Sequence, residues 1–218
     1  MWSKLMEYID LTSYSYDEFP VPMLNIGWLG TEYGIQGCGR IILPGEFELL
    51  MNASNRLGGL TLGVHECEFC PEGSTFAGNG EYRYYSNNGA TYAAPMMIFH
   101  YIESHDYCPP SEFLLELENF DPLEWDSRAD LLCEMVCNQE AAVDLRAEAV
   151  VDLPKWKDPR VVEVLKFAAN DEDLSDAAWE EIGISIGQVM SHGFSADIHL
   201  EEFSDHIQFG VSEYMRRS

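Results

Sequence analysis

The chain has 218 residues, and its 38 acidic side chains against 12 basic ones give a formal net charge of −26 at pH 7. A surface of this sign repels phosphate backbones and anionic lipid headgroups, so we expect neither a nucleic-acid nor a membrane partner. It attracts basic proteins and speeds their encounter, which predicts a basic protein partner. The alternative interpretation is that the charge serves solubility alone.

The N-terminal residues 1–8 contain neither a long apolar core nor a cleavage site, so they do not resemble a secretory signal. No apolar stretch approaches the roughly 18–20 residues needed to cross a bilayer. The predicted location is therefore the cytoplasm. Disulfides are disfavoured in a reducing compartment, so the six cysteines are expected to be metal ligands or buried thiols.

Short apolar runs punctuated by glycine and proline predict an α+β module over residues 1–120. We expect strands at 23–29 and 40–43, and a helix at 45–56 that ends before the Gly58-Gly59 pair.

Farther along, two aromatic-rich segments, 81–85 and 90–93, flank Asn87-Asn88-Gly89, which is a strong signal for a β-hairpin. Pro95 suits the first turn of a helix that continues through Ile102. A hairpin followed by this helix is similar to a treble-clef metal module.

After residue 120 glycine becomes rare and helical periodicity takes over, so residues 121–218 are predicted to form an all-α module of antiparallel helical hairpins. Residues 158–190, two helices around a polar turn, resemble a HEAT-type repeat unit. The predicted helices lie near residues 127–138, 140–153, 159–169, 176–190 and 200–216.

The spacing Cys67-x2-Cys70 is the first half of a zinc-type pattern, because a tight turn can direct both thiolates at one ion. His100 and His105, at a spacing also found in Cys2His2 sites, would complete it. Residues five apart on a helix are turned by about 140°, so His105 is expected to reach His100 only if the helix end distorts. Two substitutes are open: His65, two residues before the first cysteine, and Cys108, close to His105. Four protein ligands would close the tetrahedron and leave no position for substrate, so the ion, expected to be Zn²⁺, would be structural, and no catalytic residue is predicted.

Four motifs of the first half are Asn25-Ile26-Gly27-Trp28-Leu29, His65-x-Cys67-Glu68-x-Cys70, Gly78-Asn79-Gly80-Glu81 and Tyr92-x-Ala94-Pro95-x2-Ile98-x-His100-Tyr101-Ile102-x2-His105-x-Tyr107-x-Pro109-Pro110-x2-Phe113. Together they resemble a bacterial family of unknown function. The resemblance covers most of residues 20–115 and implies one module with no established activity. Cys108 has no counterpart in this family, so it is left out of the predicted ligand set.

These features together predict a non-enzymatic acidic interaction protein with a structural metal site. By analogy, toxin-neutralising immunity proteins are acidic two-part proteins of this size that block a basic effector. The alternative is a metal-dependent enzyme with one open coordination position, whose small-molecule substrate the sequence does not identify.

Overall fold

The computed structural model describes residues 7–16, 18–71, 76–196 and 198–217, apart from the side chains of 61–63. Its internal contacts divide the chain into two compact units. Unit 1 consists of Met1–Glu18 and Pro22–Asp121, and unit 2 consists of Phe19–Val21 and Pro122–Ser218.

Unit 1 combines a small sheet with short helices. In the part of it that the structure describes, the elements follow the chain in this order: β1 (Leu24–Asn25), α1 (Pro44–Ala53), β2 (Gly59–Glu66), β3 (Ala77–Tyr85), β4 (Thr91–Pro95), α2 (Ile98–His105), α3 (Ser111–Glu116) and a 3-10 turn at Leu117–Asn119.

The sheet has the strand order β1-β4-β3-β2, in which β1 runs parallel to β4 and the other neighbours are antiparallel. The predicted hairpin is confirmed, because β3 and β4 pair with Tyr84 opposite Tyr92. Pro95 differs from its prediction: it is the last residue of β4, opposite Glu81, and α2 begins only at Ile98. The next residue, Met96, continues the strand pairing by donating its N–H to the Gly80 carbonyl.

The other strand predictions of the first half are mostly wrong. Only Leu24–Asn25 of the predicted strand at 23–29 is a strand, and 40–43 contains none. Ile41 is 73% exposed and Leu43 is 57% exposed, so this apolar run is not part of the core. The predicted helix at 45–56 is confirmed as α1, which ends three residues earlier.

Aromatic rings from the sheet and from α3 form the core of unit 1. Phe113 is fully buried and lies edge-on to both Tyr84 and Tyr92, with ring centroids 5.2 and 5.1 Å away. The Tyr84 hydroxyl lies 2.7 Å from the Ser54 hydroxyl just after α1, so the polar tip of this buried ring is paired. This core fixes the sheet against α1 and α3.

Unit 2 is helical in all its described elements, so the predicted α+β class with a helical second half is confirmed. Across the described part of the chain, no helix is both long and apolar enough to cross a membrane. The described helices of unit 2 are α4 (Ser127–Cys137), α5 (Val143–Asp152), α6 (Arg160–Asn170), α7 (Glu172–Ala177), α8 (Trp179–Ser191) and α9 (Asp205–Arg217), with 3-10 turns at Leu153–Lys155 and Leu200–Glu202.

The predicted helix at 176–190 is two helices, α7 and α8. The side chain of Asp171 accepts a hydrogen bond from the Leu174 N–H at 2.9 Å, and this cap begins α7 at Glu172. The same carboxylate binds the buried guanidinium of Arg146, with Oδ2 2.7 Å from Nη2. The polar segment 170–173, which was predicted to be a turn, therefore contains the start of α7. Similarity to HEAT-type repeats stays a prediction.

Helices α8 and α9 cross closely at two glycines. A Cβ at Gly183 would lie 2.5 Å from the Ile207 carbonyl oxygen and 2.8 Å from the Gly210 Cα, both backbone atoms. Gly183→Ala should therefore force the helices apart and lower the free energy of unfolding by about 1–3 kcal/mol. Urea unfolding measures the change.

The matched control is Gly45→Ala in α1, where a Cβ would meet open space. Alanine is favoured over glycine inside a helix, so this variant should be as stable as wild type or up to about 1 kcal/mol more stable. Equal unfolding midpoints for Gly183→Ala and wild type would contradict the close crossing.

Candidate metal centre

Four side chains of unit 1 converge although they come from two separate segments. Cys67 and Cys70 lie in the turn that follows β2, and His100 and His105 lie on α2. One potential ligand atom of each lies within 4.8 Å of all the others. The structure thus contains a Cys2His2 cluster that could bind a metal ion.

The shortest distances in the cluster join sulfur and Nε2 atoms. Nε2 of His105 lies 3.2 Å from Sγ of Cys67 and 3.5 Å from Sγ of Cys70. Nε2 of His100 lies 3.3 Å from Sγ of Cys70 and 3.2 Å from Nε2 of His105. Two sulfurs and two ring nitrogens therefore point at one small volume.

These distances match tetrahedral coordination. Zn²⁺ lies about 2.3 Å from sulfur and about 2.0–2.1 Å from imidazole nitrogen, so neighbouring ligand atoms around it are about 3.3–3.8 Å apart. Of the four separations, those of 3.3 and 3.5 Å fall within this range, and the two of 3.2 Å fall just below it. The residues present therefore fit a zinc-sized ion in both donor type and spacing.

The turn that carries the cysteines donates backbone hydrogen bonds to the sulfur of Cys67. The backbone N–H groups of Phe69 and Cys70 hydrogen-bond to this sulfur and favour its thiolate. Burial acts the other way and, as the larger effect, raises the pKa of the Cys67 thiol. A cation between the four ligand atoms would favour the thiolate, because a coordinated thiol is deprotonated.

The two histidines converge without the predicted distortion of the helix. The chain remains helical through His105, and the left-handed residue Asp106, at φ 53°, ends the helix immediately afterwards. The rings of His100 and His105 lie 4.9 Å apart at 81°. The two Nε2 atoms lie 3.2 Å apart although the residues are five positions apart on the helix.

Aromatic rings cover the histidines. Phe76 stacks on His100 with centroids 4.0 Å apart and planes 9° from parallel, and Phe69 lies 5.6 Å from His105. Burial, followed by the nearby His105, lowers the pKa of His100. A lowered pKa keeps the His100 ring neutral at pH 7, which is the form that binds metal. Sequence reasoning missed these phenylalanines, because apolar rings near a metal pattern carry no spacing signal.

His65, the first predicted substitute, lies outside the group of four. Its ring hydrogen-bonds to the Leu29 backbone, and burial lowers its pKa. Nearby, the Glu68 carboxylate accepts hydrogen bonds from the N–H and the hydroxyl of Thr31, both at 2.8 Å. Glu68, one of the two residues between the cysteines, thus attaches the turn to another loop of unit 1.

Cys108, the second substitute, forms a disulfide with Cys38. The two Cα atoms are 5.7 Å apart, and the Cys38 N–H donates to the Cys108 carbonyl. Gly37 has a φ of +96°, and a Cβ there would collide with that same carbonyl. The expectation that all cysteines are ligands or free thiols is therefore wrong, because the fold brings together two cysteines that are 70 residues apart.

Disulfides are rare in the cytosol. The pairing of Cys38 with Cys108 therefore gives no support to the predicted cytoplasmic location, which stays a prediction.

The disulfide determines how many cysteine thiols should react before and after reduction. The four other cysteines are free, so chain denatured without reductant in the presence of a chelator should titrate four thiols with a thiol-specific reagent. After reduction the count should rise to six. A Cys38→Ser variant purified in the same way should give five in both conditions. Six thiols in unreduced wild-type protein would contradict the bond.

These features define an α+β domain that carries a Cys2His2 cluster suited to a metal ion. The sequence model of the family described as "Domain of unknown function (DUF7919)" matches residues 6–118, and the chain belongs to this family. The resemblance to a family of unknown function is thus confirmed. No curated protein and no solved structure matches the chain.

Proposed function

We propose that Cys67, Cys70, His100 and His105 hold a structural Zn²⁺ and that the chain is a non-enzymatic interaction protein for a basic protein partner. One observation carries the metal part: the four ligand atoms lie within 4.8 Å of one another. The ion would join the turn after β2 to α2 and so fix the hairpin between them.

The chemistry of the donors supports zinc and a structural role. Two thiolates and two imidazoles suit a borderline-soft ion with tetrahedral geometry, whereas Mg²⁺ and Ca²⁺ prefer oxygen ligands. Four protein ligands complete the tetrahedron and leave no position for water or substrate. His65 lies outside the group and supplies no fifth ligand to it.

The charge distribution supports a basic partner. Residues 1–120 contain 4 Lys/Arg against 16 Asp/Glu, and residues 121–218 contain 8 against 22, so both halves are strongly acidic. A field of this sign raises the rate of encounter with a positively charged surface. An immunity-type role, in which the acidic chain blocks a basic effector, is the form of this proposal that fits its size and charge.

Metal analysis tests the first part. Untagged protein examined by elemental mass spectrometry should contain about one zinc per chain, as a single four-ligand site requires. After replacement of zinc by Co²⁺, the visible spectrum should be that of a tetrahedral thiolate complex and should not change when azide is added. A spectrum that shifts with azide would indicate an open position and favour the alternative, a metal-dependent enzyme.

Salt dependence tests the partner part. A hexapeptide of alternating glycine and arginine should bind the chain, and its association rate should fall steeply as NaCl rises, because salt screens charge steering. Double-stranded DNA is the matched negative probe and should not bind. Association that is indifferent to salt, or DNA binding, would contradict a basic partner.

A further inference from the structure

Two free cysteines of unit 2 belong neither to the candidate metal centre nor to the disulfide. Cys133 and Cys137 both lie on α4, where Cys137 is exposed and Cys133 is partly buried. Leu132 and Val136, which precede them, are fully buried. The apolar stripe of α4 is thus formed by other residues, and the two thiols lie beside it.

The two thiols are neighbours on the surface of the helix. Residues four positions apart lie one above the other, with Cβ atoms about 5–6 Å apart. Burial raises the pKa of Cys133 to about 11, and Cys137 is the next largest cause, so the two sulfurs are close enough to interact. An ion bound between two sulfurs holds them about 4.6 Å apart if each bond has the zinc–sulfur length of about 2.3 Å. The spacing therefore suits one ion bound in a line by both thiolates.

The surroundings of the pair offer no further ligand. In the described part of the chain, no third histidine, cysteine or carboxylate forms a metal-sized group with the two thiols. The acidic side chains near Cys133 are already hydrogen-bonded. Asp130 accepts from the Trp125 indole N–H at 2.8 Å, and both oxygens of Asp158 accept from the Arg160 guanidinium at 2.8 Å. The pair is therefore a site of two soft sulfur ligands.

Two sulfur ligands without a third select a particular kind of ion. Structural Zn²⁺ is almost always bound by four protein ligands, and Ca²⁺ and Mg²⁺ are bound through oxygen. Thiolates select soft ions, among them Cu(I), which is stable with two ligands in a line. The donor type and the donor number of the pair therefore both favour Cu(I).

We propose that Cys133 and Cys137 form a second metal site, in unit 2, that binds one Cu(I) ion through both sulfurs. Each thiol loses its proton and two sulfur–copper bonds form. Copper remains Cu(I), so no electron is transferred. The site depends neither on the proposed zinc centre nor on the basic partner.

The test titrates zinc-loaded, full-length protein with the Cu(I) complex of bicinchoninate, whose colour falls as the protein removes copper. Oxygen and reductant are both excluded, which keeps the Cys38–Cys108 disulfide intact. Wild type should take up about one Cu(I) per chain and keep its zinc. X-ray absorption at the copper edge should show two sulfur neighbours and no nitrogen. Cys137→Ser should weaken copper binding at least about 100-fold, because even partners outside the ligand shell contribute 10–100-fold to metal affinity.

The matched control is Glu134→Ser, because Glu134 is exposed on α4 between the two cysteines and carries no thiol. This variant should bind copper as wild type does. Cys133→Ser should lose copper as Cys137→Ser does, because both sulfurs hold the ion. Circular dichroism checks that each variant keeps its helices.

Several results would overturn the assignment. No uptake of copper by wild type, or equal uptake by Cys137→Ser, would remove the cysteines of α4 as ligands. Release of one zinc per copper, with nitrogen around the copper, would place the ion in the Cys2His2 cluster. Copper that survives Cys133→Ser and joins two chains on gel filtration would be a bridge through Cys137 alone. A chain purified without zinc would reject the zinc proposal, whereas a sulfur-only copper that is lost in Cys137→Ser would still support this one.

Discussion

Cys67→Ser should release the metal and abolish the cooperative unfolding of unit 1. Structural Zn²⁺ contributes about 10–16 kcal/mol of apparent binding free energy at pH 7 in small zinc peptides. Whole domains are stable by only about 5–15 kcal/mol, so the loss of one of four ligands is comparable with the entire stability of the unit. Elemental analysis and thermal unfolding followed by circular dichroism measure the two effects.

The matched control for this experiment is Cys137→Ser. Cys137 is a free, exposed thiol on α4 of unit 2, so its replacement should leave both the metal content and the melting of unit 1 unchanged. Treating wild type with a chelator should reproduce the Cys67→Ser melting curve. If wild type contains no metal and melts together with Cys67→Ser, the metal proposal is wrong.

Arg146→Ala should destabilise unit 2 by about 3–5 kcal/mol, the cost of leaving one buried charge without its partner. The guanidinium is 2% exposed and binds both oxygens of Asp171, while its Nε donates to the Val136 carbonyl at 3.0 Å. The substitution also leaves that carbonyl without this donor. Chemical unfolding with unit 2 tryptophan fluorescence as the probe measures the loss.

An exposed arginine of the same unit provides the control. Arg217 is 71% exposed and pairs with Glu213, so Arg217→Ala should change stability by less than about 1 kcal/mol. Similar losses in the two variants would mean that the buried pair has no special role.

The ion pair of Arg146 and Asp171 should also make the stability of unit 2 depend on pH. Arg146 is the main cause that lowers the pKa of Asp171 to about 2 from its ordinary 3.8. Because the folded pKa lies below the unfolded one, the stabilisation is complete above about pH 4 and is lost as the pH falls toward 2. Arg146→Ala should therefore show a flatter loss of stability between pH 4 and pH 2 than wild type. Parallel acid-unfolding curves would contradict this assignment.

The candidate metal centre was predictable because metal chemistry restricts both the residue types and their local spacing. Two cysteines in one tight turn and two histidines on one helix each form a short pattern. The choice among the possible ligands was less accessible from sequence. In sequence, His65 is close to Cys67 and Cys108 is close to His105, so spacing alone does not exclude either as a ligand. The fold excludes them, because His65 hydrogen-bonds to the Leu29 backbone and Cys108 is bonded to Cys38.

Elements that depend on long-range pairing were predicted poorly. Strand β2 contains two glycines and a register shift, so it lacks the regular alternation that signals a strand. Pro95 has the local features of a helix start, but pairing with Glu81 places it in β4. The helices of unit 2 were easier to predict, because their buried stripes repeat every three or four residues, as at Ile182, Ile186 and Val189.

The cross-links of unit 1 are nested along the chain. The Cys38–Cys108 disulfide encloses the whole segment from Cys67 to His105 that carries the four candidate ligands. A protease that cuts one peptide bond between residues 38 and 108 therefore produces two pieces that remain joined. On a non-reducing gel such a nicked chain would migrate near the intact protein, and only reductant would release two fragments. Digestion followed on reducing and non-reducing gels would accordingly give different apparent lifetimes for the same molecule.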